Sequence, residues 1–378
     1  MESDNPTVVL LSGSFQPRGS SRYTLRLAQH LGSRGISPIV FCPSAENLTP
    51  DRRKGIDLRE YPQLRSLVLS GLARRWVYRD IKNLEPRLLH IQSRRVLRLG
   101  TWLANHLNLP YLITLHDYVP RGEKFPVNWD LCEGIIAVSE SVKRDLCTNR
   151  KIPPERVQVI RSGVDLIPEE EIRVTLESDR IPVIGTACPL ERTKGLPYFL
   201  GAAARVLSTG RDVEFLVAGA GPEEQNLRRL SRELGIGSRV TFVPYLLDFG
   251  PSLQAMDIFV LPSLQQGLGT IMLEAMALAR PVIATRVGGA YSVVHDHVTG
   301  LLVPPSNSGE LADRMIELLG DPPKARGIGQ AARQMVSTEY PLEGMIERTA
   351  EAYRLAMERS HPTPSEATTA DRHTAALG

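Results

Sequence analysis

Between Leu261 and Pro305 the chain reads LPSLQQGLGTIMLEAMALARPVIATRVGGAYSVVHDHVTGLLVPP, and here residue types and spacing are those of a site for a charged ligand. Gln265–Gly269 is a glycine-containing loop between a buried strand, Ile258 to Leu261, and a helix that opens near Thr270. A helix opening on such a loop aims unpaired backbone N–H groups, and the positive end of its dipole, at one spot. That spot suits a phosphate. Gly267, Leu268, Gly269 and Thr270 would present those N–H groups, the glycines allowing a close backbone approach. Glu274 follows one turn into the helix, where a carboxylate can accept two ribose hydroxyls. The apolar LEAMA sequence around it argues against a solvated glutamate. A phosphate cradle beside a ribose acceptor indicates a nucleotide.

Short β-branched or leucine-rich runs recur along the chain and must carry these loops. In the first half they are Val8–Leu11, Ile39–Phe41, Leu88–Ile91, Tyr111–Leu115, Gly134–Val138 and Val157–Ile160. In the second they are Pro182–Gly185, Glu214–Ala218, Arg239–Val243, Ile258–Leu261, Pro281–Ala284 and Gly300–Val303. Helical periodicity fills the gaps, as over Arg22–Arg34 and Val142–Thr148. Strands alternating with helices predict parallel sheets covered on both faces, and the restart predicts two of them. Leu166–Arg180, charged and aperiodic, reads as the linker. Ligands of open α/β sheets bind outside the carboxyl ends of the strands, so two facing sheets would enclose a cleft.

A chain of 378 residues is long enough for two domains with separate cores. A net charge of +3 is too small to indicate nucleic-acid binding. Charge is uneven, however: residues 51–98 hold 13 Lys/Arg against 5 Asp/Glu. A solvated basic face would account for this, as would a surface that meets anionic lipid head groups or a phosphorylated acceptor. Within it, Leu67–Leu84 is amphipathic, with Arg74, Arg75, Arg79 and Lys82 opposing an expected apolar face of Leu72, Trp76, Val77 and Ile81. Cys42, Cys132, Cys147 and Cys188 lack any C-x-x-C spacing, which points to buried thiols in a reducing compartment. No signal peptide or membrane span is read, so a cytoplasmic location, peripheral at most to the inner face of the membrane, is expected.

The order PS-x-x-x-G-x-G-x-x-x-LEAMA-x-x-x-PVIAT, followed by VGG and VTGLLVPP, resembles the retaining GT-B glycosyltransferases of family 4. FQPRGSSRYTLRLAQHLGSRG (Phe15–Gly35), LLHIQS, TLHD, AVSESVKRDL, VQVIRSGVD, LERTKG, VAGAGPE and VTFVPY stand in that family's order. The resemblance implies an α/β chain of two Rossmann-like doubly wound domains facing across a cleft. Residues 1–167 would bind the acceptor, completed by a crossover helix over about 342–358; residues 168–341 would bind the donor; residues 359–378 would form a disordered tail. It also implies transfer of a sugar, with retention, from a nucleotide-diphosphate sugar to a hydroxyl of a carbohydrate or lipid-linked acceptor. Such enzymes need no cofactor or metal, because positive side chains and helix termini neutralise the leaving diphosphate; the sequence has no D-x-D pair placed after a strand.

On the same resemblance, Lys194 in LERTKG matches the diphosphate-binding lysine. Five residues earlier, where the family usually has an arginine, stands Pro189. Arg192, two residues from Lys194 in what reads as an extended loop, would project to the same side and replace that charge. Glu274 matches the second glutamate of the E-x7-E motif, on the ribose; the first is replaced by Gln266. A neutral hydrogen bond in place of a charge-assisted one loses roughly 1 kcal/mol, enough to retune donor choice. His116 in TLHD matches the histidine that faces the transferred sugar. Gly19 lies in the first strand–helix loop, with Ser20 in place of a second glycine, and is expected near the diphosphate; Arg18 could add charge there. His295, Asp296 and His297 read as a turn, since adjacent residues rarely ligate one ion. A weakened scaffold that binds nucleotide sugar without efficient transfer, motivated by Pro189 and Gln266, is one alternative. A sugar epimerase on the same fold, or an interaction protein without nucleotide affinity, are the others.

Overall fold

A computed structural model describes residues 5–16, 19–65, 70–120, 122–244 and 249–360. Arg18 and the tail beyond Ser360 lie outside the described residues. The strands of the first sheet are β1 (Thr7–Leu11), β2 (Ser37–Cys42), β3 (Asp57–Glu60), β4 (Leu88–Ile91), β5 (Tyr111–Leu115), β6 (Cys132–Ala137) and β7 (Val157–Val159). They lie in the order β3-β2-β1-β4-β5-β6-β7, every pair parallel. The second sheet holds β8 (Val183–Ala187), β9 (Glu214–Ala218), β10 (Val240–Val243), β11 (Ile258–Leu261), β12 (Val282–Thr285) and β13 (Leu301–Val303). Their order is β10-β9-β8-β11-β12-β13, again wholly parallel.

The central strands are buried along their whole length, which is why they read as unbroken apolar runs rather than alternating ones. The exception is β3, DLRE, which the sequence pattern does not announce. It pairs only with β2 at the edge of the sheet, where charge protects against further pairing. In each sheet the order reverses once, between β1 and β4 and between β8 and β11. Those reversals open the crevices where ligands of doubly wound sheets sit.

The chain crosses between the halves twice, and the two crossings touch. Val164 bridges Pro341, and its N–H donates to the Tyr340 carbonyl at 3.0 Å. The helix Leu342–Ser360 then packs against the Gly19–His30 helix, the Leu31–Arg34 turn, β4 and β6. The segment read as a linker is pinned to the second half. Fully buried Asp257 accepts the N–H groups of Leu176 at 2.8 Å and Val183 at 2.9 Å. Buried Arg280 donates to Thr175 Oγ1 at 3.0 Å and the Arg173 carbonyl at 2.7 Å.

The basic amphipathic segment forms the helix Ser70–Leu84, but its buried face differs from the expected one. Ala73, Val77 and Ile81 are buried, whereas Leu72 and Trp76 stay 49% and 43% exposed. One i, i+4 row of small and branched side chains forms the buried face, and the two bulkier residues fall outside that row. Among the described residues, no helix is long and apolar enough to cross a membrane.

Candidate active site

The two crevices face each other across one cleft of about 760 Å³. From the second half, β11 ends in the loop through Gln266, and Gly269, left-handed at φ 79°, lets the chain turn sharply into the helix Thr270–Ala277. The double glycine that follows β12 supports this loop. Gly289 N–H donates to the Gly267 carbonyl at 2.6 Å, and a Cβ on Gly289 would lie 1.9 Å from that oxygen. Lys194 closes a 3₁₀ turn after β8. Its Nζ donates to Gln266 Oε1 at 3.0 Å, and Ser263 Oγ donates to the same oxygen at 3.1 Å.

From the first half, the loop after β1 leads into the helix Gly19–His30, whose N-terminus meets that of the Thr270–Ala277 helix. Contact is so close that a Cβ on Gly19 would lie 2.1 Å from Thr270 Oγ1. Two positive helix ends therefore converge on the cleft. Gly267 lies against the strand end that carries His116, where an added Cβ would come 2.5 Å from the His116 carbonyl oxygen. Leu268 is buried beside it, giving the loop an apolar anchor.

His116 follows β5 and lines the cleft. Burial lowers its pKa to about 4, against a hydrogen bond to the Gln92 backbone that acts the other way. The imidazole is thus neutral at pH 7. Its buried Nε2 has no hydrogen-bond partner among the described residues, so Nδ1–H is the atom turned to Gln92.

Glu274 is 8% exposed. Its Oε2 accepts from Arg22 Nη1, and its Oε1 from Arg26 Nη2 at 3.3 Å, both arginines coming from the Gly19–His30 helix. Arg26 also reaches the first chain crossing, donating to the Gly163 carbonyl at 2.8 Å and to Asp165 Oδ2 at 3.1 Å. A carboxylate this buried requires cationic partners. The spacing of Arg22 and Arg26, one helical turn apart, was the only sequence trace of them, and nothing in it indicates the face they share.

Of the expected site residues, Gly19, His116, Lys194, Gln266, Glu274 and the 267–270 loop come together in the cleft. Arg192 does not. Its side chain is 88% exposed and pairs with Glu223 at 3.2 Å. The expectation assumed an extended loop, but residues 192–194 form a 3₁₀ turn, where side chains two apart diverge. Pro189 does line the cleft, so the position is present without its charge. Asp296 is held in its turn, accepting from Leu302 N–H at 2.9 Å and pairing with Arg286.

Residues 17–167 match the profile of Glycosyltransferase Family 4, and residues 181–321 that of Glycosyl transferases group 1. The D-inositol 3-phosphate glycosyltransferase of Mycolicibacterium paratuberculosis is 31% identical over 86% of this chain and 83% of its own. The chain belongs to glycosyltransferase family 4. The alpha-D-kanosaminyltransferase of Streptomyces kanamyceticus is 32% identical, but the match spans only 58% of this chain and 60% of that enzyme. Among solved structures, Anabaena HepE in complex with UDP and glucose superposes with a TM-score of 0.77 at 20% identity, over 92% of this chain and 98% of HepE. A glycosyltransferase from Rickettsia africae gives 0.75 at 23% identity, over 94% and 99%. These likenesses show the GT-B fold. In this family 4 chain the group 1 match spans Lys194, Gln266 and Glu274, and the other spans His116 and both arginines that hold Glu274.

Proposed function

We propose that this glycosyltransferase moves a sugar from a nucleoside-diphosphate sugar to an acceptor hydroxyl with retention of anomeric configuration and without a metal. The observation that carries the reading is the convergence of Lys194, two helix N-termini and neutral His116 on one cleft. In this reaction negative charge grows on the leaving diphosphate as the anomeric C–O bond breaks. Lys194 Nζ and the backbone N–H groups at Gly19 and Thr270 would neutralise it, a task suited to preorganised donors. The departing phosphate oxygen would take the acceptor proton while the new bond forms on the same face. His116, which lines the cleft, would pack beside the transferred sugar and help fix its orientation. Glu274 would take the ribose diol; each carboxylate oxygen has room for a second hydrogen bond beside its arginine. The close apposition of the halves would keep water from the donor.

A carbohydrate or lipid-linked acceptor, used in glycan or glycolipid biosynthesis in the cytoplasm or at its membrane face, fits the kinds of acceptor named for relatives. The test is calorimetric titration with UDP, GDP and ADP, then turnover of the matching sugar nucleotides with the product anomer read by NMR. Tight nucleotide binding, EDTA-insensitive turnover and an α product from an α donor are expected. Binding without turnover would favour the weakened scaffold, and an inverted product would refute retention.

A further inference from the structure

A second cavity, also about 760 Å³, adjoins the cleft in the first half. It lies at the carboxyl ends of the strands, between the loops after β1 and β2, the Pro62–Arg65 turn, the Ser70–Leu84 helix and the Leu97–Leu107 helix. Gly13, Ser14, Gln16 and Arg95 line both spaces, so a molecule held in the second can extend into the first. Its walls carry Arg65, Arg74, Arg95 and Arg98 against one acidic residue, Glu46.

That charge is poorly neutralised. Among the described residues Glu46 pairs with Arg65 alone, at 3.7 Å and with both side chains more than half exposed. Arg95 donates to the neutral amide oxygen of Gln16 at 3.5 Å. The Arg74 guanidinium stacks 4.2 Å from the centre of the Trp102 ring. Arg98 has no carboxylate partner among the described residues. A concave wall bearing several uncompensated guanidinium groups focuses positive potential. Guanidinium groups, planar and weakly hydrated, are suited to bidentate capture of phosphate. An excess of three positive charges also exceeds what one carboxylate balances, whereas a phosphate monoester brings close to two negative charges. Leu64, Val96, Leu99 and Trp102 add an apolar wall beside the arginines. The site thus pairs an anion contact with an apolar or ring-stacking one.

We infer that this cavity is the acceptor subsite and that it takes an acceptor bearing a phosphate, with the phosphate on Arg74 and Arg98 and the hydroxyl to be glycosylated reaching past Arg95 into the cleft. The inference rests on the glycosyltransferase reading above. It assigns a role to the basic excess over residues 51–98, part of which forms this wall.

The test uses the full chain, saturated with whichever nucleoside diphosphate it binds, and titrated with D-inositol 3-phosphate, with inositol, and with inorganic phosphate. Inositol 3-phosphate should bind, inositol should not, and raised salt should weaken the binding. Arg74→Gln with Arg98→Gln should weaken it by roughly tenfold to a hundredfold, as loss of charged hydrogen bonds implies, while nucleotide affinity stays unchanged. Arg74 packs on Trp102, so Arg98→Glu alone, at an exposed position, serves as the variant that leaves the fold intact. Vesicles of phosphatidylinositol 4-phosphate, set against phosphatidylcholine ones, provide a lipid-borne phosphate monoester. Binding of the soluble phosphate assigns a soluble acceptor; arginine-dependent binding of the phosphatidylinositol 4-phosphate vesicles alone assigns a lipid-linked one. If no phosphate probe binds, or the arginine variants bind as the parent does, while nucleotide still binds, the subsite is refuted and the donor site stands. Failure of every nucleotide to bind would instead overturn the underlying reading.

Discussion

At the scale of single residues, two departures from the pattern of family 4 meet in the same place. Pro189 removes a cation and Gln266 removes an anion, and both line the cleft beside Lys194. The net charge around Lys194 is therefore the same as in the family pattern. Gln266 Oε1 accepts from Lys194 Nζ at 3.0 Å without cancelling its charge. A glutamate there would form an ion pair and compete with the diphosphate for the lysine. Gln266→Glu is accordingly expected to lower kcat/KM about tenfold, some 1.4 kcal/mol, and adding Pro189→Arg should recover most of it; steady-state kinetics of the single and double variants decide. Burial lowers the His116 pKa to about 4, so its imidazole is neutral at pH 7. Activity should hold steady through the pH range where an ordinary histidine titrates, with no acid limb near 6.5. A pH–rate profile that bends there and straightens in His116→Asn would contradict this role.

At the scale of elements, Arg22 and Arg26 on one helix face reach across to the helix that carries Glu274, and Arg26 also grips Gly163 and Asp165 at the chain crossing. Removing Arg26 would leave buried Glu274 on Arg22 alone, so the cost is a part of the ~3–5 kcal/mol that a wholly unpaired buried charge carries. Arg26→Met should therefore lower the thermal midpoint by several degrees and loosen nucleotide binding together, read by scanning calorimetry with and without nucleotide. The Leu342–Ser360 helix is tied in by a buried polar network. His90 Nδ1 meets Tyr353 Oη and the Gln92 amide, so its proton sits on Nε2, which donates to Thr114 Oγ1 at 2.7 Å. Burial, with the nearby His116, lowers the His90 pKa to about 3. For His90 and His116 alike the folded pKa lies below the unfolded value, so the unfolded chain binds more protons below about pH 6.5. Stability should be intact at neutral pH and fall as pH drops from 6.5 toward 4, each group steepening the loss by up to about 1.4 kcal/mol per pH unit. His90→Gln should be less stable at pH 7 yet show a shallower acid loss in denaturation curves taken across that range.

At the scale of the whole molecule, the halves are joined where the two crossings run side by side. A Cβ on Gly163 would lie 2.5 Å from the Cα of Leu342, a backbone contact that no side-chain rotation relieves. Gly163→Val should part the crossings, with greater protease sensitivity near residues 163–167 and weaker turnover even at saturating nucleotide. The sequence by itself was enough for two parallel α/β sheets, the order of their strands along the chain, and the loop from Gln266 to Thr270. Buried parallel strands must be continuously apolar, and a turn into a helix needs glycine, so both leave local signatures. Glu274 was legible for the same reason: a lone carboxylate in an apolar helix must be held by something. What holds it was decided only by tertiary structure, because Arg22 lies 252 residues away and its pairing depends on how the two halves meet. The same holds for Arg192, which a 3₁₀ turn directs away from the cleft, for the charged edge strand β3, and for the arginine wall. That wall assembles Arg65, Arg74, Arg95 and Arg98 from four separate elements. Local chemistry writes periodicity and turns into sequence, whereas the convergence of charge from distant segments exists only once the chain is folded.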